Sequence, residues 1–225
     1  MDDNIGFVYK VLSYKESSRL VFILSSNGNN LFIARAASRP TSKNFSYTNE
    51  FNTIKYNYIK RGSAYFLTSG NIIDNYQNIK NDVTKTMVAL KIINLLAKYI
   101  DYVSSHKILY EFTHSILNNL KDTTSSIYYD LFRLKLLYLI GIGLQFKKCL
   151  KCNSNLNLHF VVKEGGVLCE KCLDYTKAID NELNKYIQEL YFKKNYEFSV
   201  IDLIKYDEYK DKLSVFLDDY YRYHN

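Results

Sequence analysis

From Ile5 to Leu67 the apolar positions come in short blocks rich in β-branched and aromatic residues, at 7–12, 19–24, 31–35, 52–59 and 63–67. Runs of this length and composition, separated by small polar residues, predict strands. Between the second and third runs stands Ser25-Ser26-Asn27-Gly28-Asn29-Asn30. Asn-Gly between two apolar stretches predicts a hairpin with a type I′ turn, in which both residues take positive φ. Arg61-Gly62 marks the turn between the last two runs. Five short strands in this space predict a small barrel, an OB-fold first and an SH3-like barrel as the alternative.

After Gly70 the spacing becomes helical. Val83, Met87, Leu90 and Leu95, widened by Ile93, Leu96 and Ile100, predict one amphipathic helix, and Ile108, Phe112, Ile116 and Leu120 a second. A third, over residues 125–140, is apolar nearly all round, which predicts a buried central helix stopped by Gly141-Ile142-Gly143. Ile179, Leu183, Ile187 and Leu190 continue the pattern, and Leu213, Phe216, Leu217 and Tyr220 form a last amphipathic face. The expected fold class is α+β. A barrel occupies 1–75, a helical domain occupies 76–145 and 177–225, and a cysteine-bearing module at 146–176 is embedded in it.

Composition adds a core and a charge asymmetry. Hydrophobic residues make up 47% of the 225-residue chain, enough for a folded core. Heavy use of Asn, Lys, Ile and Tyr fits AT-rich coding and lowers the weight of any single tyrosine. Residues 1–73 hold nine Lys/Arg against four Asp/Glu, whereas the remainder holds twenty-one against nineteen. A positive field confined to the first third suits a polyanion such as nucleic acid, with a merely solubilising surface as the bland alternative. The acidic start Met1-Asp2-Asp3-Asn4 and the lack of a long apolar run give no sign of a signal peptide or a membrane span. The expected location is the cytoplasm.

All four cysteines lie in Cys149-Leu-Lys-Cys152 and Cys169-Glu-Lys-Cys172, with sixteen residues between the pairs. Two residues between paired cysteines let both sulfurs face one ion, and the insert is long enough for a hairpin through Leu158–Val162, Lys163-Glu164-Gly165-Gly166 and Val167-Leu168. The spacing predicts one structural zinc held by Cys149, Cys152, Cys169 and Cys172. Lys147, Lys148, Lys151 and Lys171 would offset the negative charge of four thiolates on Zn²⁺. Redox-active or disulfide-bonded pairs are the alternative, and ligation by His159 a minor one. Four cysteines close the ligand shell, and the sequence contains no P-loop, GxSxG or HExxH, so no catalytic residue is assigned and the chain is expected not to be an enzyme.

Taken together these residues resemble the RecO family of bacterial recombination mediators. The stretch Val8-Tyr9-Lys10-Val11-Leu12-Ser13-Tyr14-Lys15-Glu16-Ser17 is similar to the family's opening strand and turn. Gly28 and Phe32-Ile33-Ala34-Arg35-Ala36-Ala37-Ser38-Arg39 are similar to its next hairpin and basic exit, with Ala36 where members commonly carry Gly. Leu131-Phe132-Arg133-Leu134-Lys135-Leu136-Leu137 with Gly141 resembles the helix before the zinc segment. Cys149, Cys152, Phe160, Gly165-Gly166, Cys169 and Cys172 match the zinc-binding members in order and spacing.

The resemblance implies binding of single- and double-stranded DNA, strand annealing, and action with RecR and single-strand-binding protein to load RecA. An OB barrel holds single strands with a positive groove and stacked rings. Lys10, Arg19, Arg35, Arg39 and Lys43 are the expected DNA-binding cations, and Tyr9, Tyr14 and Phe32 the candidate stackers, Phe32 reading rather as core. Arg133 and Lys135, beside Leu131, Leu134 and Tyr138, are the expected site for the C-terminal tail of single-strand-binding protein; Leu217 and Tyr221 near Arg222 are the second choice. A zinc-ribbon adaptor with no nucleic-acid role is the competing reading, and steep salt dependence of DNA affinity separates the two.

Overall fold

The computed structural model describes residues 4–122, 125–174 and 177–224. Residues Met1–Asp3 and the expected end of the cysteine module at 176 lie outside them. The chain forms two compact units, Met1–Thr124 and Ser125–Asn225.

The first unit is built on five strands, β1 (Ile5–Tyr14), β2 (Ser18–Ser25), β3 (Gly28–Ala34), β4 (Asn52–Arg61) and β5 (Ala64–Asp74). They close into a barrel in the order β1-β2-β3-β5-β4, the OB arrangement. A bulge at Tyr9 interrupts the β1–β2 register. It lets β1 pair with β4 through Ile5–Val8 and then continue with β2 alone. Val8, Val21, Ile23, Phe32, Ala34, Tyr47, Ile54, Tyr56 and Leu67 fill the interior. Helices α1 (Gln77–Lys80), α2 (Val83–Tyr99) and α3 (His106–Asp122) follow, and α2 and α3 pack on β1 and β2.

Three expectations change here. Ser25 pairs with Gly28, so the β2–β3 loop is Ser26-Asn27, and the positive φ belongs to Gly28 (130°) and not to Asn27. The turn is therefore not the type I′ pair that Asn-Gly suggested. Strand β5 runs seven residues past Leu67, through Thr68-Ser69-Gly70-Asn71. That polar stretch hid the strand from a hydrophobic pattern, yet Gly70 is required because a Cβ there would lie 2.6 Å from the Tyr47 ring. Helix α2 buries Val88, Ala89, Ile92, Ile93, Leu96 and Tyr99, while Val83 and Met87 are 78% and 57% exposed and Leu90 is exposed too. Helical spacing identified the helix but centred its buried face on Val83, Met87 and Leu90, whereas of the expected positions Ile93, Leu96 and Ile100 are the buried ones, because the barrel selected one of two apolar stripes.

Residues 35–51 link β3 to β4 without regular structure and are tied down by side chains. Arg19 Nη1 donates to Phe45 O (3.3 Å), Thr48 Oγ1 (3.3 Å) and Asn49 Oδ1 (2.9 Å). Ala36 has φ +55°, the left-handed region that glycine adopts without strain, so alanine costs about 1 kcal/mol here.

The second unit holds α4 (Ile127–Leu139), a hairpin of β6 (Leu158–Val161) and β7 (Gly166–Cys169), α5 (Asn181–Phe192) and α6 (Val200–His224). Ten of the thirteen residues of α4 are buried, as its all-round apolar sequence requires. Gly141 (φ 84°) ends it: the amides of Ile142 and Gly141 return to the carbonyls of Leu137 and Tyr138, the Schellman arrangement. Asp180 caps α5 through the amides of Glu182 and Leu183. Ser199 and Asp202 close a reciprocal capping box on α6. Among the described residues no helix is long and apolar enough to cross a membrane.

Candidate metal centre and nucleic-acid surface

The four cysteines converge in the second unit. Their sulfurs all lie within 4.8 Å of one another, and Cys152 and Cys169 Sγ are 3.4 Å apart. A tetrahedron with metal–sulfur arms of about 2.3 Å has edges of about 3.8 Å, so the cluster fits a four-thiolate ion. The first pair sits on a tight turn in which Asn153 N donates to Cys149 O (2.9 Å) and Asn153 takes φ +61°. Asn is among the few side chains at ease there. The second pair follows β7, with Cys172 N on Cys169 O at 2.9 Å.

Burial raises the Cys149 thiol, but the backbone amides of Cys169, Cys152 and Lys151 outweigh it and bring the group down to about 6. The Cys152 and Cys169 thiols, hydrogen-bonded to Cys172, push it up to about 12. Such a cluster ionises Cys149 readily, while Cys172 holds its proton until a cation displaces it. The apolar cluster around it is small, with Val161, Leu168 and the buried Cys149 and Cys169 at its centre. His159 is not among the converging ligands. Lys147, Lys148, Lys151 and Lys171 are exposed around the site, with Lys151 3.8 Å from Glu164.

In the first unit the cations expected to meet DNA divide. Lys10, Arg35, Arg39 and Lys43 are exposed. Lys10 Nζ lies 5.4 Å from the Phe22 ring and the Arg35 guanidinium 4.8 Å from the Phe66 ring. Arg19 instead spends its donors on the 35–51 segment, a structural use. Of the rings, Phe32 is buried in the barrel core, and Tyr9 is buried with its hydroxyl on Asn29 Oδ1 (2.9 Å). Burial pushes Tyr9 up to about 12, and neither ring has a face open to a base. Tyr14 is half-buried, with Lys15 Nζ 5.4 Å from its ring. The sequence reading passed over Lys60, Arg61 and Tyr58, all exposed on the β4–β5 ribbon. The legible signal was that residues 51–73 contain no Asp or Glu.

Arg133 and Lys135 are not placed as a docking site needs. Arg133 is 6% exposed, and its guanidinium meets Asp130 (3.4 Å) and Asp218. Asp130, raised by burial, also accepts from Tyr206 Oη at 2.8 Å. Lys135 Nζ donates to the carbonyl of Tyr191 in the last turn of α5 and to that of Lys193 just beyond it (2.8 Å for Lys193). Burial lowers it to about 8. Leu131 and Leu134 are fully buried. The second choice fares no better: Leu217 is buried and Tyr221 Oη donates to Arg133 O at 2.9 Å. A costly buried charge is retained here because partners inside the fold satisfy it.

The family model described as Recombination protein O N terminal matches residues 1–76, and Recombination protein O C terminal matches 80–225. The DNA repair protein RecO of Listeria welshimeri is 23% identical over 222 residues, covering 96% of this chain and 86% of its own. That of Oceanobacillus iheyensis is 28% identical over 204 residues, covering 88% and 76%. That of Halalkalibacterium halodurans is 24% identical over 172 residues, covering 75% and 68%. Two adjoining family matches, the five-stranded barrel and the converged cysteines lead to one conclusion: this chain belongs to the RecO family of DNA repair proteins.

Proposed function

We propose that the chain is a recombination mediator that binds single- and double-stranded DNA, anneals strands, and acts with RecR to load RecA onto strands coated by single-strand-binding protein. The observation that carries this reading is a closed five-stranded barrel whose Lys10, Arg35, Arg39 and Lys43 remain exposed. Phosphate neutralisation by such cations releases counterions and needs no bond chemistry, so the activity is binding energy redistributed among partners and not catalysis. The work is done in the cytoplasm, at the nucleoid.

Four soft sulfur donors in a closed shell suit one structural Zn²⁺ held by Cys149, Cys152, Cys169 and Cys172. It supplies cross-linking to a module with little core. For the tail of single-strand-binding protein, the groove between α5 and the start of α6 replaces Arg133 and Lys135. This cavity of about 430 Å³ is lined by Tyr186, Phe192, Phe198 and Ile201 with Lys193, while Lys205 and Glu189 on its wall pair with each other and Asp202 is a further lining residue. Tyr186 is buried and its hydroxyl has no hydrogen-bond partner among the described residues. A terminal aromatic side chain finds there a matching apolar floor, and its carboxylate meets Lys193.

Arg35→Ala with Arg39→Ala is expected to weaken binding to unrelated DNA sequences alike. The salt slope on single strands should become shallower by about 0.7 per lost contact. Salt-independent affinity in wild type would favour a protein adaptor instead. A tail peptide titrated calorimetrically should lose affinity for Lys193→Ala, and unchanged affinity there would move the partner off this groove.

A further inference from the structure

One end of the barrel carries a cavity of about 140 Å³ that none of the foregoing uses. Its lining combines the rings of Phe32, Tyr58 and Tyr65 with the amides of Asn4, Asn27 and Asn30. The rings form one cluster, with Tyr58 5.2 Å from Phe32 and 5.6 Å from Tyr65. Phe32 is buried and anchors the cluster, whereas Tyr58 is 41% exposed.

The three asparagine side chains hydrogen-bond no other group among the described residues. Asn29, their neighbour in sequence, does the opposite and is held by Tyr9 and Asp101. An amide offers both a donor and an acceptor, so each of the three can meet either kind of polar edge.

The surroundings are cationic. Lys60 Nζ lies 5.6 Å from the Tyr65 ring, Arg61 follows it at the ribbon tip, and the acid-free stretch 51–73 contains both. An aromatic face, uncommitted amides and flanking cations are the three things an unpaired nucleotide requires: a ring to stack on, partners for its base edge, and charge for its phosphates. A paired base presents neither a free face nor a free Watson–Crick edge, and a cavity of this size does not admit a base pair.

We infer that this cavity captures one unpaired base of a single strand. The base stacks on the exposed Tyr58, Tyr65 stands nearly perpendicular to that ring and closes the side of the cavity, the base edge meets Asn27 and Asn30, and Lys60 and Arg61 neutralise the neighbouring phosphates. The inference rests on the DNA-binding reading above and identifies where on the barrel a single strand is told from a duplex.

The test measures fluorescence anisotropy of the full chain with labelled oligothymidylate, an abasic strand of equal length, and a duplex. Wild type should bind oligothymidylate more tightly than the abasic strand. Tyr58→Ala should lose at least about fivefold on oligothymidylate, the lower bound for one stacked base, with duplex affinity unchanged. Tyr58→Phe should retain wild-type affinity. Asn30→Ala, which removes no ring, gives a second reading should Tyr58→Ala fail to fold, and it too should weaken only the single strand. Equal affinity of wild type for abasic and base-bearing strands would overturn the inference while leaving DNA binding intact. So would equal losses on single strand and duplex in either variant, or no loss in either. Absence of all DNA binding by wild type would overturn the broader reading along with it.

Discussion

The two units use the same residue types in opposite ways. In the barrel unit Lys10, Arg35, Arg39, Lys43, Lys60 and Arg61 are exposed, several with an aromatic ring beneath the charge. In the helical unit Arg133 and Lys135 turn inward and are consumed by Asp130, Asp218 and two carbonyls. Exposed cations over rings keep their charge for a polyanion, at little cost in desolvation. Buried ones hold a fold together and are withdrawn from binding. Arg19 stands between, a barrel cation whose donors tie down residues 35–51. A basic residue in a DNA-repair chain therefore says nothing about DNA until its partners are known.

The largest effect should come from the cysteine module, which has least core to fall back on. Cys169→Ser removes a ligand and is expected to cost more than about 4 kcal/mol of local stability. Hydrogen exchange over residues 149–172 should rise while the barrel stays protected. Elemental analysis of the wild type should give about one zinc per chain, and a metal-free, equally protected chain would end the zinc assignment.

Arg133→Ala comes next. Leaving Asp130 buried without its guanidinium should cost about 3–5 kcal/mol by urea unfolding, with DNA affinity of the folded fraction unchanged. A DNA-binding loss at full stability would erase the contrast between the units.

The smallest effect is a pH dependence of Lys135. Its folded-state pKa is lowered from 10.5 to about 8, so between these values the unfolded chain holds more protons. Raising the pH through that window therefore favours the fold. Unfolding free energies measured from pH 8 to 9.5, below the tyrosine range, should rise for wild type and stay flatter for Lys135→Met. Parallel curves would mean that Lys135 is solvated and available to a partner after all.

Much of this was legible from the residues because the relevant geometry is local. Two-residue spacing brings both sulfurs of each pair to one side, and a sixteen-residue insert suffices for the hairpin that joins them. Short β-branched runs fix strands, and Gly141 fixes the stop of α4 through its positive φ. What the tertiary structure alone decided depends on distant closure. Asp218 meets Arg133 from eighty-five residues away, and Lys135 reaches carbonyls fifty-six and fifty-eight residues on. The exposed stripe of α2 was apolar enough to be core, and only packing against the barrel left it outside. The base-sized cavity draws on β1, β3, β4 and β5 and on the turn between β2 and β3. Periodicity tells which side chains share a face of one element, but burial and charge pairing depend on which elements meet, and that is set by the closure of the barrel and the packing of the helices.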